Sequence, residues 1–79
     1  MRYFFHLING HGRQEDSVGQ ELAGKAQVER EVSRILTDVA RDELPNFSEG
    51  RVVVDVRTAD GKAVCNGKLV FETNWFAPS

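Results

Sequence analysis

The stretch Lys25 to Leu44 constrains this chain most, because it alone is long and periodic enough to demand an α-helix. Val28, Val32, Ile35, Leu36, Val39 and Leu44 recur at helical spacing with Ala40 beside them. Glu29, Arg30, Glu31, Arg34, Asp38, Arg41 and Asp42 fall between them. The result is one apolar stripe about 100° wide, which has to be buried against another element. The other segments read as strands, so that element is a sheet. Gly24 is expected as the N-cap, with Gln27 placed to complete part of a capping box. Pro45 is expected to stop the helix, since the residue before a proline is pushed out of the right-handed helical region. Glu31 with Arg34, Arg34 with Asp38 and Asp38 with Arg41 stand at helical neighbour spacings. Mixed signs of this kind mark a solvated face rather than a nucleic-acid stripe.

The strands follow from shorter patterns. Tyr3 to Ile8 is rich in aromatic and branched residues. Tyr3, Phe5 and Leu7 share one face and Phe4, His6 and Ile8 the other, so both faces are mostly apolar and both are expected to be covered. Asn9-Gly10-His11-Gly12 marks a tight turn. Residues 13–22 are weakly patterned: Asp16-Ser17-Val18-Gly19 reads as a turn, with room for a short edge strand on either side. Asn46 to Gly50 reads as loop. Arg51 to Arg57 is the cleanest strand, with Val52, Val54 and Val56 on one face.

Asp60-Gly61 marks a hairpin into the last strand. With Asp60 and Gly61 as a two-residue loop, the Val52, Val54 and Val56 face continues into Ala63, Cys65, Gly67, Leu69 and Phe71. With Thr58 to Gly61 as a type I turn and a glycine bulge, Asn66 and Lys68 fall in the core instead. A one-residue slip flips a whole face, so burial favours the first register. Gly67 marks either a bulge or a close helix contact. Together these elements predict an α+β two-layer sandwich, one amphipathic helix on a mainly antiparallel sheet of three to four strands, in the order β-(β)-α-β-β. A single domain is expected over 1–79, with 72–79 as an aromatic tail.

Composition narrows the function classes. At 79 residues, 41% hydrophobic and 28% charged, the chain suits a small globular domain rather than a disordered one. Ten basic and twelve acidic residues give a net charge of −2, which offers no basic excess to attract nucleic acid. The single cysteine, Cys65, rules out an internal disulfide. With no run long enough to span a membrane and an opening too soon interrupted for a signal peptide, the expected setting is the cytoplasm.

Arg2-Tyr3-Phe4-Phe5-His6-Leu7, the Asp16, Gly19 and Leu22 turn, and Arg51-Val52-Val53-Val54 with Asp60-Gly61-Lys62 together resemble a family of short bacterial proteins of unknown function. That family opens with an Arg-Tyr-Phe-Phe-His-Leu strand. The resemblance implies the fold and a bacterial origin, and brings no activity, substrate or catalytic residue. Gly24 departs from it, where an acidic cap is usual, as does the extra tail. A looser likeness of layout is to the small HicB-type antitoxin domains, whose sheet and helix resemble a double-stranded-RNA-binding fold.

No motif assigns a catalytic, cofactor or metal site. His6 and His11 are the only histidines, and metal sites ordinarily need three or four ligands at recognised spacing. Cys65 paired with His6 would need an electropositive setting to act as a nucleophile, and the favoured register buries it as a small hydrophobe. Gly10-His11-Gly12 lacks the ending of a phosphate loop. No nucleophile, base and orienting group can be placed together, so no enzyme is expected.

The helix-free sheet face is left unexplained. Phe4, His6, Ile8, Val53, Val64 and Val70 lie there and mark a candidate interface, used by a second copy or by a partner protein. Trp75 is expected to dock there near Phe4 and Val53. A nucleic-acid binder is the other reading, with Tyr3, Trp75 and Phe76 stacking on bases and Arg2, Arg51 and Arg57 near the backbone.

Overall fold

The computed structural model describes residues 1–77. β1 (Arg2–Asn9) is followed by two short strands, β2 (Gly12–Gln14) and β3 (Gln20–Glu21), then α1 (Lys25–Glu43), β4 (Glu49–Thr58) and β5 (Ala63–Glu72). All pairings are antiparallel, in the order β2-β1-β4-β5, and β3 continues the same outer side of β1 that β2 begins. The helix lies on one face of this sheet, so the architecture is α+β.

Residues 13–22 therefore supply two edge strands on either side of a turn at Asp16 to Gly19. The chain leaves the β1 ladder between them, yet the Phe5 N–H keeps a partner: it donates to Asp16 Oδ2 at 3.1 Å. The other oxygen, Oδ1, accepts from the N–H groups of Val18 (3.1 Å) and Gly19 (3.0 Å). One carboxylate thus closes the turn and fills the gap in the ladder. Gly19 has φ +74° and lies against Phe4, where an added Cβ would come within 2.9 Å of the ring.

The core is aliphatic and sits under the helix. Val54 and Val56 are fully buried and, with Phe5, pack against Val28 and Val32, flanked by Tyr3, Leu7, Leu22, Ile35 and Leu36. Burying one such side chain contributes about 1.5–3 kcal/mol, a large share of what so small a domain holds. Gly67 brings the layers together. A Cβ there would stand 2.3 Å from Val32 Cγ1, so β5 approaches α1 as closely as backbone allows. The close helix contact, rather than a bulge, is why glycine stands at this position.

The hairpin combines both expected alternatives. Its turn is the one set aside: Gly61 N–H donates to Thr58 O at 2.9 Å, Thr58 N–H donates to Lys62 O at 3.0 Å, and Gly61 has φ +83°. Its register is nevertheless the favoured one, with Val56↔Cys65, Val54↔Gly67 and Val52↔Leu69 as partners. A bulge reconciles them. Arg57 pairs with Ala63 and Val56 with Cys65, which leaves Val64 as the extra residue. The valine face outweighs the turn, because keeping Asn66 and Lys68 out of the core matters more than an uninterrupted ladder.

Three local expectations need correction. Gly24 is the N-cap, but no side chain caps the helix, so Gln27 completes no box. Leu44 keeps right-handed helical angles (φ −59°, ψ −43°) although Pro45 follows. The ladder ends because proline has no N–H to donate, and turn bonds to Glu43 O from Asn46 (3.1 Å) and Phe47 (3.0 Å) close the end. Cys65 is exposed rather than buried in the core: it faces the helix side, but on the outermost strand, toward the hairpin from Gly67.

Partial burial, with Glu29 and Asp55 nearby, raises the Cys65 thiol above its ordinary range. Slow alkylation at neutral pH, below the rate of a free cysteine despite exposure, is therefore expected. A rate at or above that of free cysteine would contradict this placement.

Candidate functional site at the open end of the sheet

The helix-free face divides into an ionic centre and an apolar end. In the centre, His6 stands opposite Asp55 and Asp55 opposite Asn66. Asp55 Oδ2 binds Arg57 Nε at 3.0 Å and Arg13 at 3.2 Å, and Arg13 Nε binds Glu15 Oε1 at 2.6 Å. Burial pushes the Asp55 carboxyl up, but the Arg57 and Arg13 guanidinium groups outweigh it and hold the group below its usual range. Hydrogen bonding to Arg13 lowers Glu15 in the same way.

His6, only 9% exposed, ends this chain of charges. Its Nδ1 lies 3.1 Å from the Asp16 N–H and 2.8 Å from Glu15 Oε2. Unprotonated, Nδ1 accepts from the Asp16 amide; carrying a proton, it would donate to Glu15. The middle of the face is thus a satisfied polar network, not the continuous apolar patch expected from Phe4, His6, Ile8, Val53, Val64 and Val70.

Those residues are consequently separated. Phe4 is half-buried under the Asp16–Gly19 turn. Val64 is 43% exposed at the hairpin bulge, away from the others. Ile8 and Val53 pair at the opposite end across β1 and β4, and Val70 lies farther along, facing Arg51 across β4 and β5. Val70 is 62% exposed. Trp75 does not dock near Phe4 and Val53: Trp75 and Phe76 are 82% and 83% exposed. Thr73 N–H donates to Ser48 O at 2.7 Å, which holds the base of the tail against β4's entry loop. Strand β5 ends at Glu72 as expected, while Pro78, which also bore on that expectation, lies outside the described residues.

At this end the sheet holds an open cleft of about 560 Å³ between the Asn9–His11 turn, the C-terminal end of α1 and the first residues of β4. Ile8, Val52, Val53, Phe47 and Phe71 supply its apolar walls, and Glu43, Glu49 and Arg51 its charges. The His11 ring tilts against Phe47 with centroids 6.1 Å apart. The cleft exists because the strands are staggered. β1 leaves β4 at the pair Ile8↔Val53, whereas β5 follows β4 on to Glu49↔Glu72. Glu49 to Arg51 therefore have a strand partner on one side only. Phe71 lies over Gly50, its ring 2.5 Å from where a Cβ would stand, so glycine opens the floor of the cleft. Sequence reading missed this cleft. Its one local trace was the glycine at position 50, read as loop, in what proves to be strand β4.

Cys65 and His6 are on opposite faces of the sheet, as their partners Val56 and Asp55 show. Among the described residues, no three His, Cys, Asp or Glu side chains gather as metal ligands. Of the arginines considered for a nucleic-acid backbone, Arg2 donates to Val18 O and Arg57 to Asp55 and Gly61 O. Tyr3 packs against the core. No helix among the described residues is long and apolar enough to cross a membrane.

A family model described as a domain of unknown function, DUF6894, matches residues 2–70. No curated protein matches the chain, and no solved structure does.

Proposed function

The chain belongs to the DUF6894 family of domains of unknown function, and from that premise we propose that it is a small, non-catalytic protein-interaction module. It takes an extended apolar segment of a protein into the cleft at the open end of its sheet. The observation that carries this reading is the stagger of β4: an unpartnered strand edge at Glu49 to Arg51 runs along an apolar cleft. A segment lying there adds a short strand to the edge and drops alternate side chains into the cleft, so main-chain bonds give affinity and the walls give selectivity. A small molecule would use the walls but leave that edge unpaired. The ionic centre around His6 and Asp55 is already satisfied, and desolvating it would cost more than it returns. The chain works in the cytoplasm, consistent with its lone unpaired cysteine.

A peptide of sequence Thr-Asn-Trp-Phe-Ala tests the cleft when titrated onto the full-length Trp75→Ala/Phe76→Ala variant, whose own tail is silent. Saturable binding with a blue-shifted indole emission is expected, weakened at least tenfold by Phe47→Ser. Absence of binding, or binding indifferent to Phe47→Ser, would refute the reading.

A further inference from the structure

We infer that the segment filling this cleft is the aromatic tail of a second copy, so that two chains exchange Trp75 and Phe76 reciprocally. This rests on the reading of the cleft as a segment-binding site. Two features sit at one end of the molecule and complement each other. The tail carries the two most exposed large hydrophobic side chains among the described residues, and the cleft beside it is lined by Ile8 and Val53 from the helix-free face and by Phe47 and Phe71, Phe71 standing on the helix side of the sheet. The tail's own base is fixed at the rim by the bond from Thr73 to Ser48, while Trp75 and Phe76 stay exposed and line no part of the cleft. Each chain thus offers a ligand that it does not use and a site that it does not fill.

The areas agree with a stable pair. An aromatic side chain buries about 150–250 Å², so four rings from two tails remove about 600–1,000 Å². With the matching cleft walls, the total reaches the roughly 1,200–2,000 Å² of a standard specific interface. The pairing is isologous, the same tail and cleft contributed by both copies, so it closes at two and does not propagate into a fibre.

Sedimentation equilibrium at about 100 µM, above the micromolar end of the affinities that such areas give, tests the exchange. The full chain is expected to be a dimer. Both Trp75→Ala/Phe76→Ala and Phe47→Ser/Val53→Gln are expected to be monomers, with circular dichroism unchanged. An equimolar mixture of the two variants retains one good tail and one good cleft, and is expected to recover a weaker dimer. A monomeric full chain, whether its Trp75 emission is blue-shifted by docking within its own chain or not, would overturn the exchange. So would a dimer that survives the tail substitutions. If the free peptide still binds the cleft while the full chain is monomeric, exchange fails and the interaction-module reading stands.

Discussion

Replacing Gly67 by valine is expected to destabilise the fold by about 1–3 kcal/mol or more. The sign is not obvious from the strand alone. A branched residue suits a pleated strand better than glycine does, and on that ground the change would stabilise. Packing decides against it. The new Cβ would stand 2.3 Å from Val32 Cγ1 and 3.4 Å from Leu36 Cδ1, and Val32 is a buried core residue with little room to move. Either α1 lifts from β5 or the strand bends away, and both open the core. Urea denaturation measures the loss. Combining the change with Val32→Ala should recover part of it, because the clash and the cavity then offset each other. Gly10→Ala is the control: a Cβ there meets nothing within 4 Å, and its effect should be within about 0.5 kcal/mol. A Gly67→Val variant as stable as the native chain would place the helix elsewhere.

Asp16→Ala is expected to cost about 1.5–3 kcal/mol, the range for hydrogen bonds to a charged group. Its carboxylate accepts three backbone N–H groups, from Phe5, Val18 and Gly19, and so holds the turn between β2 and β3 against β1. Alanine leaves the Phe5 amide without that acceptor at a half-buried edge and frees the turn that covers Phe4.

The same geometry sets a pH dependence. Burial alone would raise the Asp16 carboxyl, but the three amides, with the charge of nearby His6, hold it below its ordinary value. A carboxyl depressed in the folded state contributes stability that is fully present above its unfolded pKa. That contribution is lost as pH falls through the lower, folded value. The gap in stability between the native chain and Asp16→Asn should therefore be widest near neutral pH and close in acid, below the ordinary carboxylate range. A gap unchanged in acid would mean that the charge on Asp16 does not do this.

Much of the fold was legible because it rests on periodicity. The helix stripe from Val28 to Ala40 and the alternation of Val52, Val54 and Val56 each name their buried face without knowledge of the partner. The hairpin shows the limit of turn chemistry. Asp60-Gly61 announced a turn correctly but not its type, because an exposed bulge at Val64 lets the turn and the register be chosen separately. Cys65 was misplaced for a related reason: alternation tells which side a residue faces, not whether the helix covers that point along the outermost strand.

The candidate site was the least legible part. His6 lies among aromatics in the sequence, yet its partners Glu15, Asp16 and Asp55 come from a turn and a neighbouring strand whose pairing no local pattern specifies. The cleft depends on a difference in length between two ladders on β4, which is a property of the assembled sheet. The tail was read by the rule that large apolar side chains seek cover. That rule is sound, but it does not say whether the cover belongs to the same chain.

The claim at the centre of this account is that recognition takes place at the open end of the sheet and not across its ionic middle. A dilution series followed by residue-resolved amide and indole NMR shifts addresses it most directly. The account predicts concentration-dependent shifts gathered at Ile8, Phe47, Glu49 to Val53, Phe71 and the Trp75 indole, with His6, Asp55 and Asn66 unmoved. Shifts centred on His6, Asp55 and Asn66, shifts running along the outer edge of β5 from Val64 to Lys68, or no shifts at all would contradict it.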